Sequence, residues 1–226
     1  SPFKDDSSVG WIITKYDAFS RPIYTGWYND SNESTRKSLQ NNQNNATVLF
    51  ETKQSSGTID GISVYYSNNI APKSFKLLTV NYYDNYNFPN AYNIEGESVL
   101  INAKSLTTGS WTRAVTLGTS ILGAITTFFY DPKARPLGSY IQNHLGGYTY
   151  SDSKLDFSGK TLFSISKHRR TSGASELVIR EDYTYSHQDR LLTHTHQING
   201  GSVQLLAANE YDELGQLTSK KVGNST

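Results

Sequence analysis

Apolar and polar residues alternate in the last third of the chain, along TLFSISKH (161–168), LVIREDYTY (177–185) and, in part, LLTHTHQI (191–198). A period of two puts successive side chains on opposite faces, so each stretch predicts a half-buried β-strand. Earlier, VLFETK, GISVYYS and FKLLTVNYYD read as strands too. The most apolar stretch, LGTSILGAITTFFY, is interrupted by Thr, Ser and Gly and reads as one or two buried strands. Helix signals are few. NESTRKSLQNNQNNA (32–46) offers Asn32 or Ser34 as an N-cap before Arg36, Lys37, Leu39 and Gln40, with an Asn-rich end that should fray. SVLINAKSL (98–106) is ambiguous, with a short helix as one of its two readings.

One phrase recurs between the strands. With YDELGQL (211–217) as template, YDAFSRP (16–22), YDPKARP (130–136), LDFSGKT (155–161) and YSHQDRL (185–191) match it, and YDNYNFP (83–89) matches weakly. The residues that carry the phrase are Tyr16, Asp17 and Arg21; Tyr83 and Asp84; Tyr130, Asp131 and Arg135; Leu155, Asp156 and Gly159; Tyr185, Asp189 and Arg190; and Tyr211, Asp212 and Gly215. The last three intervals between copies are 25, 30 and 26 residues, whereas the first two are 67 and 47, so insertions are expected there. Self-similarity at such a period is the mark of stacked supersecondary units.

The phrase has a physical reading as a tight hairpin turn. A type I turn followed by a residue at φ > 0 joins two antiparallel strands. Asp at the start can hold a following backbone N–H. The fifth position needs left-handed geometry, which Gly159, Gly215, Asp189 and Asn87 tolerate. Ser20 and Ala134 do not, so those two turns are expected to differ. Each copy then supplies one strand, one turn and one return strand. A polar hairpin is marginal alone, so several must share one sheet. The expected fold class is mainly β, built of antiparallel strand-turn-strand repeats, with one or two short helices in an insertion.

Composition narrows the partners. Net charge is +1, from 21 basic and 20 acidic residues, which lacks the basic excess that nucleic acid or an anionic membrane selects. There is no Cys, so disulfides and thiolate zinc sites are excluded. No run of about 18 apolar residues predicts a membrane span. Met is absent even at position 1, which suggests a processed product or a piece of something longer.

The repeated Tyr-Asp-x-x-Gly-Arg-Leu pattern resembles the YD repeat of bacterial RHS proteins, which are related to the teneurin shell. The resemblance is carried by YDPKARPLGSYIQNHLGGYTYSDSKLDFSGKTL, YTYSHQDRLLTHTHQINGG, NEYDELGQLTSKKVG and, at the N-terminus, WIITKYDAFSRPIYTGWY. It implies a large curved sheet that winds into a hollow shell around a C-terminal domain, often a toxin. The whole of 1–226 would be one shell segment, with 126–226 as regular repeats, about 30–125 as an insertion, and flanking repeats missing on both sides. The implied partners are other repeats of the same shell and the enclosed cargo. The implied localisation is secreted or on the bacterial cell surface, with the export signal outside this segment.

Candidate chemistry is sparse by comparison. His194 and His196 share a strand face but lack an evident third ligand, so a wet-face polar pair outweighs a metal site. His168, Arg169 and Arg170 read as a solvated hairpin end before they read as an anion site. No cofactor or metal is expected. Glycosidase chemistry needs two converging carboxylates, and Asp17, Asp131, Asp156 and Asp212 are instead spread through equivalent turns. There is no G-x-S-x-G elbow and no phosphate loop. The expectation is therefore a structural shell segment and no enzyme. The alternative is a carbohydrate-binding or adhesin module for surface glycans, using exposed Tyr with Trp27 and Trp111.

Overall fold

The computed structural model describes residues 10–29, 40–41, 43–93, 99–115 and 120–223. It is mainly β, with antiparallel strands in one large sheet and almost no helix. Fourteen strands are described: β1 Trp11–Tyr16, β2 Pro22–Tyr28, β3 Thr58–Ile59, β4 Ile62–Ser63, β5 Lys76–Tyr83, β6 Thr107–Arg113, β7 Gly123–Tyr130, β8 Pro136–Gln142, β9 Gly146–Leu155, β10 Thr161–Thr171, β11 Leu177–Tyr185, β12 Leu191–Ile198, β13 Gln204–Tyr211 and β14 Leu217–Lys221. Twelve of them follow in chain order in the sheet, β1-β2-β5-β6-β7-β8-β9-β10-β11-β12-β13-β14, while β3 and β4 form a separate hairpin. Among the described residues helix is confined to 40, 41, 43 and 44, and the rest of the predicted 32–46 helix lies largely outside the described residues. No described helix is long and apolar enough to cross a membrane.

The chain forms two compact units, Ser1–Asn93 with Ile101–Thr127, and Ile94–Leu100 with Phe128–Thr226. In the first, the segment around the β3-β4 hairpin covers a face of the sheet. Val64, Tyr66 and Ile59 meet Ile23, Tyr24, Leu77, Val80 and Tyr82 in one buried cluster. Aromatic rings run through it: Tyr24 meets Tyr66 edge-on at 6.0 Å, Tyr66 stacks on Tyr82 at 5.7 Å, and Tyr82 on Phe88 at 4.6 Å. Tyr82 and Tyr83 are adjacent yet both buried, because a bulge between them interrupts the period of two. A second bulge, where Thr25↔Thr79 is followed by Gly26↔Leu77, buries both Leu77 and Val80.

The second unit is thinner. Among its described residues only Phe129, Asp131, Gly147 and Ala207 are buried, so in-sheet pairs must do what a second layer does elsewhere. Tyr150 lies opposite Lys167, and Tyr148 opposite Arg169, with the cations 5.8 and 5.0 Å from the ring centres. Arg180 sits 4.4 Å from the centre of the Phe163 ring and is fixed by both carboxylate oxygens of Asp182, at 2.9 and 2.7 Å. Such pairs contribute roughly 0.5–1 kcal/mol each at exposed sites.

Several expectations need correction. Described residues 99–106 contain no helix; they run through bends and turns into β6. VLFETK forms no strand, only single bridges at Glu51 and Lys53, and of GISVYYS only Ile62–Ser63 pairs as a strand. Trp111 is 9% exposed and packs in the core, so it is not an exposed binding aromatic. Tyr66, Tyr82 and Tyr83, from the Tyr-rich stretches, are core residues as well.

Candidate functional site

The recurring phrase folds the same way wherever it is complete. In five copies the N–H of the second residue donates to the carbonyl of the sixth, and the N–H of the fifth donates to the carbonyl of the second. The distances are 3.0 and 3.0 Å for Asp17 with Arg21 and Ser20, and 2.9 and 2.8 Å for Asp131 with Arg135 and Ala134. They are 2.9 and 3.2 Å for Asp156 with Lys160 and Gly159, 2.8 and 3.0 Å for Ser186 with Arg190 and Asp189, and 3.0 and 2.9 Å for Asp212 with Gln216 and Gly215. The fifth residue is left-handed every time: Ser20 (φ 61°), Ala134 (63°), Gly159 (99°), Asp189 (65°) and Gly215 (82°). These are the turns β1-β2, β7-β8, β9-β10, β11-β12 and β13-β14. Within the second unit they all lie at the same end of an antiparallel sheet.

Ser20 and Ala134 thus adopt the geometry they were expected to avoid. A left-handed non-Gly residue costs about 1–2 kcal/mol, and the surroundings over-determine it. Asp17 Oδ1 accepts the N–H of Phe19 and of Arg21, both at 2.9 Å, and Asp17 Oδ2 accepts Arg21 Nε at 2.7 Å. Asp131 repeats this with Lys133 N at 2.9 Å, Arg135 N at 2.8 Å and Arg135 Nε at 2.6 Å. The weak copy does differ. Asp84, not Asn87, has positive φ (75°), its N–H bonds to the Leu106 carbonyl at 3.0 Å, and the return strand β6 begins only at Thr107.

Two replacements at the fifth position should move in opposite directions. Ala134→Gly relieves the left-handed strain at a smaller entropic cost, and a gain of about 0.5–1 kcal/mol in urea unfolding is expected. Gly215→Val adds strain at φ 82°, and its Cβ would lie 1.7 Å from Arg190 Nη2. A loss of about 1–2 kcal/mol is expected, and unchanged stability in both variants would refute the turn account.

The sixth position has a role that the sequence reading left unassigned. Alternate strands stand roughly 9–10 Å apart, a gap that a long basic side chain can cross to reach the next turn. Arg21 donates Nη1 and Nη2 to the two Asp84 oxygens at 2.9 and 2.8 Å. Arg135 Nη1 reaches the carbonyls of Asp156 and Phe157 at 3.2 and 3.3 Å. Lys160 pairs with Asp189 while lying 3.2 Å from its own Asp156. The Arg190 guanidinium sits 5.7 Å from the centre of the Tyr211 ring and against Gly215.

The first position answers in the other direction. Tyr83, Tyr185 and Tyr211 donate their hydroxyls, each at 2.9 Å, to the carbonyls of Pro22, Thr161 and Leu191, each the seventh residue of the preceding copy. Asn81 and Asn209 reinforce two of these carbonyls at 3.0 Å. Three consecutive pairs of turns, those starting at 16 and 83, 155 and 185, and 185 and 211, are therefore tied by a cation going forward and a tyrosine going back. The turn at 130 is tied to the one at 155 by its cation alone. The recurrence of Arg21, Arg135, Lys160 and Arg190 at one position was the signal for it.

The charges respond accordingly. The Arg21 guanidinium holds Asp84 below the usual carboxylate range, and Asp84 in turn raises Arg21. Burial pushes Asp131 up, but Arg135 and the N–H groups of Arg135 and Lys133 outweigh it, so the net shift is downward. Asp156 is held low by Ser158, Lys160 and the Gly159 N–H against its desolvation. Lys160 is raised, chiefly by Asp189.

The same turn was missed once. Asn143 takes the place of Asp at the opposite end of the sheet, with its N–H on the Gly147 carbonyl at 3.0 Å and Oδ1 accepting Leu145 N and Gly147 N, both at 2.9 Å. Asn-x-x-Gly-Gly was the available signal.

The histidines sit on the sheet surface. His194 bonds Glu181 at 3.2 Å and stacks on Tyr183 at 4.5 Å, while His196 meets Gln204 at 2.9 Å. His168 Nδ1 lies 2.9 Å from Thr149 Oγ1. Among the described residues no group of three His, Asp or Glu is arranged to hold a metal.

No family model matches the chain, and no curated protein matches it. A solved structure titled "Crystal Structure of TcdB2-TccC3-Cdc42" is similar at 12% identity and a TM-score of 0.34, over 97% of this chain and 11% of that one. At that score the likeness carries no argument about fold or function.

Proposed function

We propose that this chain is a structural shell segment of the RHS/YD-repeat kind, which encloses or displays a further domain of a secreted or surface-exposed polypeptide. The observation that supports this is the two-way tie between consecutive turns. Arg21–Asp84 in the first unit, and Arg135 to the Asp156 carbonyl and Lys160–Asp189 in the second, bind hairpin to hairpin, with the hydroxyls of Tyr83, Tyr185 and Tyr211 returning. That is a device for extending a sheet hairpin by hairpin, and it engages the Asp84 and Asp189 carboxylates in structural contacts. The partners in this reading are neighbouring repeats and the enclosed domain. The test is to express the chain with the coding sequence that flanks it in its gene and to challenge it with protease. Protection of the downstream domain, lost when Arg135 and Lys160 are both replaced by Ala, is the expected result. Equal cleavage of the downstream domain with and without the segment would overturn the reading.

The same reading assigns no turnover to the turn carboxylates. Asp131→Asn should cost about 1–3 kcal/mol, because it turns an N–H₂ toward Arg135, and should abolish no reaction. A specific loss of activity with the fold intact would put an enzyme first.

A further inference from the structure

We propose that Asn199 is a site of self-modification, which loses its side-chain amide as ammonia through a cyclic imide formed with Gly200. The pair lies in the connection from β12 to β13, at the end of the sheet away from the ties, and both residues are exposed. It is the one Asn-Gly step in the chain. Both residues are left-handed, at φ 48° and 69°, and the Gly201 N–H donates to the Ile198 carbonyl at 2.9 Å. That is the tight turn that Asn-Gly favours between antiparallel strands.

Each participant in the reaction is placed for it. The nucleophile is the Gly200 nitrogen, whose N–H has no hydrogen-bond partner among the described residues. Nothing lies within 4 Å of where a Cβ on Gly200 would stand, so little obstructs rotation of its peptide toward the side chain. The electrophile is Asn199 Cγ, whose Oδ1 accepts the Val178 N–H at 2.8 Å. That donor sits where negative charge develops as the nitrogen attacks. The leaving group is Nδ2, which has no partner among the described residues either. Elsewhere this group is tied: Asn68, Asn81, Asn143 and Asn209 each donate Nδ2 to a backbone carbonyl, at 2.7, 3.0, 2.9 and 3.0 Å.

Water is the one co-reactant. The Gly200 nitrogen gives up its proton and bonds to Cγ, the Cγ–Nδ2 bond breaks, and ammonia departs with that proton. Water then opens the ring on one side to Asp, or on the other to isoaspartate, in which the main chain runs through Cγ. Both products change the sheet end. Residue 199 is joined to β11 twice, by its own N–H on the Val178 carbonyl at 2.8 Å and by Oδ1. Asp keeps an oxygen for the Val178 N–H and adds a charge. Isoaspartate adds a backbone carbon and shifts the turn against β11. The similar Asp60-Gly61 turn, at φ 49° and 75°, supplies an internal control. Its carboxylate is held by Arg113 and by the Leu77 N–H at 3.1 Å, so Asp60 should not isomerise. The proposal is independent of what the segment encloses.

The test is to hold the whole chain in mildly alkaline buffer and follow each Asn by peptide mass mapping, with fragmentation that tells Asp from isoaspartate. Asn199 should convert first and give both products. Its rate should rise with hydroxide, because the attacking nitrogen must lose its proton. Gly200→Ala should slow conversion about tenfold by restricting the rotation that brings nitrogen to carbon. Asn199→Gln, which keeps an amide at an exposed turn, should stop conversion at 199, since a six-membered ring closes less readily. Circular dichroism checks that both variants keep the fold. Retention of the Asn199 amide throughout, faster conversion at another Asn, equal rates in wild type and Gly200→Ala, or conversion only in the urea-unfolded chain would each overturn the proposal.

Discussion

Glu51→Ala is expected to cost about 3–5 kcal/mol and to unfold the first unit in urea that leaves the wild type intact. Glu51 is 1% exposed and Lys15 is 4% exposed, and they face each other at 3.4 Å. Every polar atom of the carboxylate is used. Oε2 accepts the Ser67 hydroxyl at 2.6 Å and the Asn69 N–H at 2.8 Å, and Oε1 accepts the Ile70 N–H at 2.9 Å. Lys15 donates to Glu51, to the Ile70 carbonyl at 2.5 Å and to the Asn68 side chain. Three acceptors match the three N–H bonds of an ammonium. Removing the carboxylate leaves that buried ammonium without its counter-charge and two backbone N–H groups without acceptors.

Acid should do the same more gently. Burial pushes the Glu51 pKa up, but the Asn69 and Ile70 N–H groups, Ser67 and Lys15 outweigh it, so the folded value lies below the ordinary 4.5. A depressed carboxylate contributes its stability above the unfolded pKa and loses it as pH falls through the folded one. Wild type should therefore lose stability on going below about pH 4.5, and Glu51→Gln should lose less over the same interval. Parallel curves would contradict the assignment.

Tyr82→Ala should cost a similar amount, about 3–5 kcal/mol, by the cavity it leaves. The Tyr82 ring is 1% exposed and stacks at 16° on Tyr66 and at 9° on Phe88. Tyr82→Phe keeps both stacks and should cost much less. Equal losses in the two variants, measured by urea unfolding, would place the energy in the hydroxyl instead of the ring.

Much of the second unit was legible because its signals are local. The alternation in LVIREDYTY and LLTHTHQI marks β11 and β12 at their observed bounds, Leu177–Tyr185 and Leu191–Ile198. The turns were legible as positions but not in full geometry. Ser20 and Ala134 are forced left-handed by Asp–Arg clamps whose strength a propensity argument does not contain. The first unit was harder to read because its determinants are long-range. Lys15 and Glu51 are 36 residues apart, and although FKLLTVNYYD was legible as the strand β5, bulges at Tyr82–Tyr83 and Thr25–Gly26 break the period from which its buried face would be read. The ties between turns were half visible: the basic residue recurred, but its partner lay one copy further on.

Those ties are the centre of the account, and a double-mutant cycle on Arg21 and Asp84 tests them most directly. Both side chains are partly buried, and the contact is a fork of two hydrogen bonds at 2.9 and 2.8 Å between residues 63 positions apart in the chain. Arg21→Ala, Asp84→Ala and the double variant should give a coupling energy of about 1 kcal/mol in urea unfolding, at the upper end for a solvent-accessible pair. The coupling should fall away at pH values low enough to protonate Asp84. A coupling energy indistinguishable from zero would mean that the turns are merely adjacent, and that the repeated phrase does nothing beyond turning the chain.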